Sequence, residues 1–258
     1  MSSYIPVTPE THSDKSWTGF ERYHFAVNDQ FVPIISAELN KAVQHFPLAF
    51  CKHNAQYVLV SVQSLFPGQN MMIATDGRWF GEYVPAFYRS YPFRLARSEG
   101  HENLILCVDE ESGLVHEDVS FGKRFFNEHN EITESVKNVL NFLTQIEQSK
   151  SATDLAVSAL ADAGLITEWN LKVRMGEEEK PVIGLYMVDE PKLNSIDDQT
   201  FLHLRKTGAL PIAYAQLFSM NNIQMFDKLI KLKEQMDKQQ EEVPDAGLYF
   251  SDDDTFKF

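Results

Sequence analysis

Two arginines and seven aromatic side chains fall within residues 67–93, and no other part of the chain is as rich in groups suited to recognition. Arg78 and Arg89 carry forked donors that fit carboxylates, phosphates or aromatic faces. Trp79, Tyr83, Tyr91 and Phe93, with Phe87 and Tyr88 beside them, add large and rigid contact area. Tryptophan, tyrosine and arginine are the residues that dominate binding hot spots. Asn70, Asp76 and Gly77 bring the turn chemistry that would present such a surface. The same composition also fits a packed corner in which each arginine satisfies carbonyls and each aromatic fills core, because the spacing specifies no single reaction. The expectation is a surface for a peptide, another protein or a small carboxylate, built from Asn70, Asp76, Gly77, Arg78, Trp79, Tyr83, Arg89, Tyr91 and Phe93.

Two acidic pairs are secondary candidates. Asp109-Glu110 and Asp189-Glu190 each end an apolar run that reads as a strand, Leu106-Cys107-Val108 in one case and Tyr186-Met187-Val188 in the other. Carboxylates brought within about 5–9 Å of each other could serve as acid and base or hold a hard cation. Their plainer role is to cap the turns after those strands. Signatures of other chemistries are missing from the sequence. There is no Gly-x-Ser-x-Gly nucleophile elbow, no glycine-rich phosphate loop and no pair of histidines at metal-ligand spacing. No cofactor and no metal are therefore expected.

The formal net charge of −14 argues against nucleic acid, which needs a cationic footprint. The basic clusters, Lys123-Arg124 and Lys228 to Lys233, are short and interleaved with acids. An acidic surface is solvated in the plain reading and draws a cationic partner in the sharper one. Cys51 and Cys107 both sit in apolar surroundings and read as small buried hydrophobes of a reducing compartment. No apolar run is long enough for a membrane span, and the opening residues lack the features of a secretory signal. These readings predict a cytoplasmic protein.

Periodicity indicates the strands and helices that carry the candidate residues. Residues 1–30 are polar, with Pro6, Pro9 and Gly19, and predict an extended arm or loose wrap. Ser36 is a candidate cap for a short helix that Pro47 stops. Strands are expected at Leu48–Cys51, Tyr57–Gln63, Met71–Ala74 and Leu104–Val108, with Asp76-Gly77 turning a hairpin between Ile73 and Trp79. Helical spacing runs through Ile132, Val136, Val139, Leu143 and Ile146, and a second helix is expected at Ala152–Ala163, ended by Gly164. Strands then return at Trp169–Val173 and Val182–Val188 around a polar hairpin loop starting at Arg174. Helices close the pattern at Asp197–Thr207, Ile212–Met220 and Ile223–Asp237. Residues 239–258 hold six acids against one lysine and predict a flexible acidic tail. The fold class is α+β, strand-rich with hairpins in the N-terminal half and helix-rich in the C-terminal half. The main domain spans 31–238, as one body or as subdomains near 31–125 and 126–238.

Several short motifs, in order, resemble the SapC family over roughly Phe31 to Met236. They are Val32-Pro33-Ile34 with Glu38, Phe46-Pro47-Leu48-Ala49-Phe50, Gly68-Gln69-Asn70, Asp76-Gly77-Arg78-Trp79, Val84-Pro85-Ala86 and Arg89-Ser90-Tyr91-Pro92-Phe93. Gly184-Leu185-Tyr186, Asp189-Glu190, Gly208-Ala209-Leu210 and Tyr214-Ala215-Gln216-Leu217 continue the match. The family takes its name from an S-layer locus that also encodes type I secretion components. Its relatives are commonly encoded beside TonB-dependent receptors, flavin-dependent halogenase-like proteins and cupin-like proteins. The resemblance carries over no catalytic residues. It implies a non-catalytic accessory protein of a cell-surface or uptake system, with a protein or peptide partner. The alternatives are an enzyme acting on a peptide or saccharide through the acidic pairs, and a structural S-layer component.

Overall fold

The computed structural model of the chain describes residues 3–97, 104–175 and 178–241. The first thirty residues depart from the expected loose arm. They form β1 (Tyr4–Pro6), α1 (Pro9–His12) and β2 (Ser16–Trp17), followed by a 3-10 turn over His24–Ala26. The segment carries Trp17, Phe20, Tyr23 and Phe25, and this aromatic area has to be covered. Trp17 is buried against Phe93 with ring centroids 4.8 Å apart. Pro6 ends β1 and Pro9 opens α1, so the prolines that suggested a free arm sit at element ends.

Then come β3 (Phe31–Pro33), a 3-10 turn over Ser36–Glu38, and α2 (Leu39–His45). Ser36 is not the cap. Glu38 reaches back instead, and its Oε1 accepts from the Ile35 amide at 3.1 Å. Phe46 turns extended ahead of Pro47 and ends α2, as a residue before proline should. β4 (Leu48–His53) and β5 (Gln56–Val62) make the hairpin expected from their apolar, β-branched sequences, with left-handed Asn54 and Ala55 at its tip. Met71–Ala74 does not become a strand. One bridge pairs Ile73 with Trp79, because the Asn70 side chain takes the Met72 amide at 2.9 Å and the chain turns. α3 (Ala86–Arg89) leads into β6 (Phe93–Arg97), and β7 (Leu104–Asp109) pairs with it in antiparallel register. Short strands β8 (Val115–His116) and β9 (Lys123–Arg124) flank β2.

The two helices expected between 132 and 163 are one, α4 (Glu134–Asp162), capped by Thr133 and stopped at left-handed Gly164. The serines and threonine that suggested a break bond backward within the helix. Ser151 Oγ donates to Glu147 O at 3.1 Å and Thr153 Oγ1 to Ser149 O at 2.7 Å. Next along the chain are β10 (Ile166–Glu168), β11 (Lys172–Met175), β12 (Glu178–Pro181) and β13 (Tyr186–Val188). Strand pairing of β11 with β12 thus extends into the stretch expected as loop. α5 (Glu190–Leu193), α6 (Asp198–Lys206), α7 (Ala209–Ser219) and α8 (Met225–Glu241) complete the chain. Most of the predicted tail, residues 242–258, lies outside the described residues, as does His101.

The central sheet runs β10-β13-β4-β5-β3, and a smaller one runs β1-β7-β6. The two largest hydrophobic clusters among the described residues each draw on both halves of the sequence. Phe46, Leu48, Phe50 and Leu59 pack with Leu160, Ile212 and Phe226 in the larger. Trp17, Phe93, Val108 and Phe125 pack with Val136 and Leu143 in the smaller. α4 joins the two, its first half in one core and its last turns in the other. No helix among the described residues is long and apolar enough to cross a membrane.

The docked N-terminal segment carries a titratable weak point. The His12 ring is buried 4.9 Å from Phe125, and its Nε2 faces Glu110 Oε1 at 3.3 Å without a well-aligned hydrogen bond. Burial holds its pKa below the ordinary 6.5; Lys15 acts in the same direction, and Glu110 and Glu117 oppose it. The unfolded chain therefore takes this proton first. The stability from neutral His12 is complete above pH 6.5 and is lost as pH falls from there through the lower folded value. Urea midpoints should fall as pH drops below 6.5, and His12→Phe should flatten that slope; equal slopes for both proteins would refute the assignment.

Candidate functional site

Three polar groups fold the 67–93 segment. Asn70 is buried; its Nδ2 donates to Ala26 O at 3.2 Å and to the Tyr88 hydroxyl at 3.3 Å. Glu38 is 5% exposed and fills both carboxylate oxygens. Oε1 holds the Ile35 amide, while Oε2 accepts from the Tyr83 hydroxyl at 2.6 Å and the Ala86 amide at 2.9 Å. Trp79 donates its indole N–H to Tyr83 O at 2.9 Å and packs beside Tyr23, Phe46 and Tyr88. Asn70, Trp79 and Tyr83 are therefore scaffolding, and they aim the residues from Phe87 onward.

Those later residues form part of the wall of a cavity of about 720 Å³. Tyr88, Tyr91 and Phe93 from the segment meet Phe25, Phe31 and Tyr4 from the N-terminal residues and Leu143 and Ile146 from α4. Four carboxylates from three places line it as well: Asp29, Asp109 with Glu111, and Glu147. Arg94 is the basic side chain of the lining, and its guanidinium lies 3.7 Å from the Tyr4 ring centroid. Asp29, Asp109 and Glu147 form no ion pair among the described residues.

The electrostatics follow from burial. Tyr88 donates to Asp29 and is pushed far above the ordinary phenol range, by burial first and then by the Asp29 charge. Asp29 is exposed as a residue, yet the surroundings of its carboxyl raise its pKa by desolvation, against the lowering effect of the Tyr88 hydrogen bond. Tyr91 is pushed up to about 12 by burial and by Asp109. Its ring stacks on Phe25 at 3.9 Å with planes 12° apart. The hydroxyls thus remain donors, and the carboxylates supply the negative charge.

The remaining predicted residues sit elsewhere. Asp76 holds Arg78 Nε at 2.6 Å and the Arg78 amide at 3.0 Å, so these two satisfy each other. The same contacts, led by the backbone amide, lower the Asp76 pKa. Gly77 has φ +83°, and an added Cβ would fall 2.5 Å from His24 Nε2, which explains the glycine without a ligand. Arg89 is exposed and lies over the Tyr83 and Phe142 rings. Each acidic pair caps the turn after its strand, through Asp109 Oδ1 to the Glu111 amide at 3.3 Å and Asp189 Oδ1 to the Lys192 amide at 3.1 Å. The pairs end strands of different sheets. Asp109 reaches the cavity, whereas Glu110 bonds Lys15 at 3.0 Å. Among the described residues, no group of three histidine, cysteine, aspartate or glutamate side chains is arranged to hold a metal ion.

A family model described as SapC matches residues 7–226. The chain belongs to the SapC family. No curated protein and no solved structure matches it. The match begins at Val7, so α1 and β2 of the N-terminal segment fall within it and β1 lies just ahead of it.

Sequence reasoning missed Asp29, Glu111, Glu147 and Arg94. Nothing local marks them, since they meet across the fold from a loop, a turn, a helix and a strand. The aromatics Phe20, Tyr23 and Phe25 did offer a signal that the N-terminal segment lines something.

Glu38 gives the direct test of this scaffold. Glu38→Gln leaves one oxygen to serve donors that now use two, and should cost about 1–3 kcal/mol in urea unfolding. Glu38→Ala should cost more, because it orphans the Ile35 and Ala86 amides and the Tyr83 hydroxyl together. A Glu38→Gln protein within about 0.5 kcal/mol of wild type, the range of ordinary surface changes, would overturn the clamp.

Proposed function

We propose that this SapC protein is a non-catalytic binding or accessory protein whose cavity captures a basic side chain of a peptide or protein partner. One observation carries the reading: four carboxylates converge on an aromatic wall where a single guanidinium, already placed over Tyr4, is the basic group. An ammonium or guanidinium on an apolar stem fits both features. Its charge meets the carboxylates, its stem meets the rings, and a desolvated cation over an aromatic face gains about 2 kcal/mol. The net charge of −14 favours encounter with a cationic partner. The family's setting, beside S-layer secretion genes or TonB-dependent receptors, supports service to a cell-surface or uptake system.

A second reading, an enzyme acting on a peptide or saccharide, draws support from Asp29. The Asn70–Tyr88–Asp29 chain of hydrogen bonds ends at a carboxyl of raised pKa on the cavity wall, as a proton-transferring group would be placed. In that case Asp29→Asn would abolish turnover of a bound peptide while leaving its capture in place.

Calorimetric titration with short acetylated peptides tests the leading proposal. A lysine peptide should bind at least about tenfold more tightly than its norleucine counterpart, and Glu147→Lys should weaken it by about tenfold, or 1.4 kcal/mol. Equal affinity for the lysine and norleucine peptides would overturn the reading.

A further inference from the structure

The acidic cavity has a neighbour. A second cavity of about 500 Å³ is lined by Phe20, Arg22, His24, Ser112 and Leu114, and it shares Phe25 and Tyr91 with the first. The stacked Phe25–Tyr91 pair is therefore the partition between the two. The Tyr91 hydroxyl interacts with Asp109 on the first side and Ser112 on the second, which fixes the partition in place. Phe20 braces it with ring centroids 5.1 Å from Phe25 and 6.0 Å from Tyr91.

The two sides differ in charge. The first gathers four carboxylates against one guanidinium, whereas the second sets one guanidinium, Arg22, beside one carboxylate, Glu21. Arg22 is half exposed and lies 4.0 Å from Asp76, which is already filled by the side chain and amide of Arg78. Its guanidinium carries more N–H donors than that one long contact engages, and Arg22 lines the cavity. Apolar walls stand next to it in Phe20, Phe25 and Leu114.

We infer that the two cavities are adjoining subsites of one groove, which takes an extended peptide carrying a basic residue for the acidic cavity and, a few residues away, an acidic residue that pairs with Arg22. The inference rests on the capture of a basic side chain proposed above and adds the ligand's second charge. An aromatic or aliphatic residue between the two charges would lie across the Phe25–Tyr91 edge, where ring faces are available to it. Opposite charges at the two ends also fix the direction in which the peptide lies, which a single acidic pocket cannot do.

The test uses the full chain and acetylated, amidated peptides in which lysine and glutamate flank one to three residues including a phenylalanine, in both orders. Each has a glutamine-for-glutamate and a norleucine-for-lysine counterpart. One order and spacing should bind about three- to five-fold more tightly than its glutamine counterpart, the gain of a partly exposed ion pair. Arg22→Ala should make the glutamate and glutamine peptides bind equally, and Arg22→Glu should reverse their order. If glutamate and glutamine peptides bind wild type equally at every spacing while norleucine still weakens binding, the second subsite is refuted and the basic-residue capture stands. If norleucine costs nothing, both fall. Retention of the glutamate advantage in a folded Arg22→Ala protein would also refute the assignment of Arg22.

Discussion

A carboxylate buried where the chain enters α2 holds the candidate site together. Glu38 collects the Ile35 amide, the Tyr83 hydroxyl and the Ala86 amide on its two oxygens. Removing a carboxylate from water costs several kcal/mol, and strong donors on both oxygens are what offset it. The turn that carries Glu38 is also pinned to the middle of α4, where the Ser36 amide donates to Thr153 Oγ1 at 2.8 Å and the Ala37 amide to Ser149 Oγ at 3.1 Å. One turn therefore ties the start of α2, the start of α3 and the spine of the molecule. Because Ala86 opens α3, the clamp determines where Phe87 and Tyr88 face.

The aromatic segment divides according to that constraint. Residues before the clamp are drawn inward: Trp79 spends its N–H on Tyr83 O, and Asn70 spends its amide on Ala26 O and Tyr88. Residues after it are carried to the cavity wall, with Phe93 bridging to the smaller core through Trp17 and Phe125. The high aromatic density thus serves packing in one half and a surface in the other. Lys233 on α8 donates to Asn70 O at 3.2 Å, so the last described helix braces the same hub.

Much of this was legible in the sequence where the cause is local. The run Tyr57-Val-Leu-Val-Ser-Val became β5, buried continuously from Leu59 to Val62, because a strand covered on both faces needs apolar residues without alternation. Gly164 and Gly208 ended helices in left-handed conformations, and Asp197 capped α6 through the Thr200 amide. The failures came where a side chain had two outlets. A second helix was expected to start at Ala152, but Ser151 and Thr153 satisfy carbonyls one turn back, so α4 runs through. The 71–74 segment has strand composition, yet Asn70 claims the amide that a ladder would have used. The acidic pairs were read correctly as strand ends, and their aspartates cap the turns beyond them. The cavity itself was not legible, because its carboxylates lie at positions 29, 109, 111 and 147, and only the docking of the N-terminal segment brings the first to the others.

That convergence has a thermodynamic meaning. A fold free to optimise stability would not gather four carboxylates at one wall, since like charges repel and burial raises the cost for Asp29. The raised pKa of Asp29 registers the burial part of that cost even though Tyr88 donates to it. Two arrangements would remove the strain: a basic side chain of this protein at the centre, or one supplied from outside. The fold sends Arg94 to the Tyr4 ring and leaves Asp29, Asp109 and Glu147 without ion pairs among the described residues. An arriving cation would stabilise the charged state of Asp29 and lower its pKa, so binding and proton release are linked at this wall, and stability given up in the free protein returns as affinity.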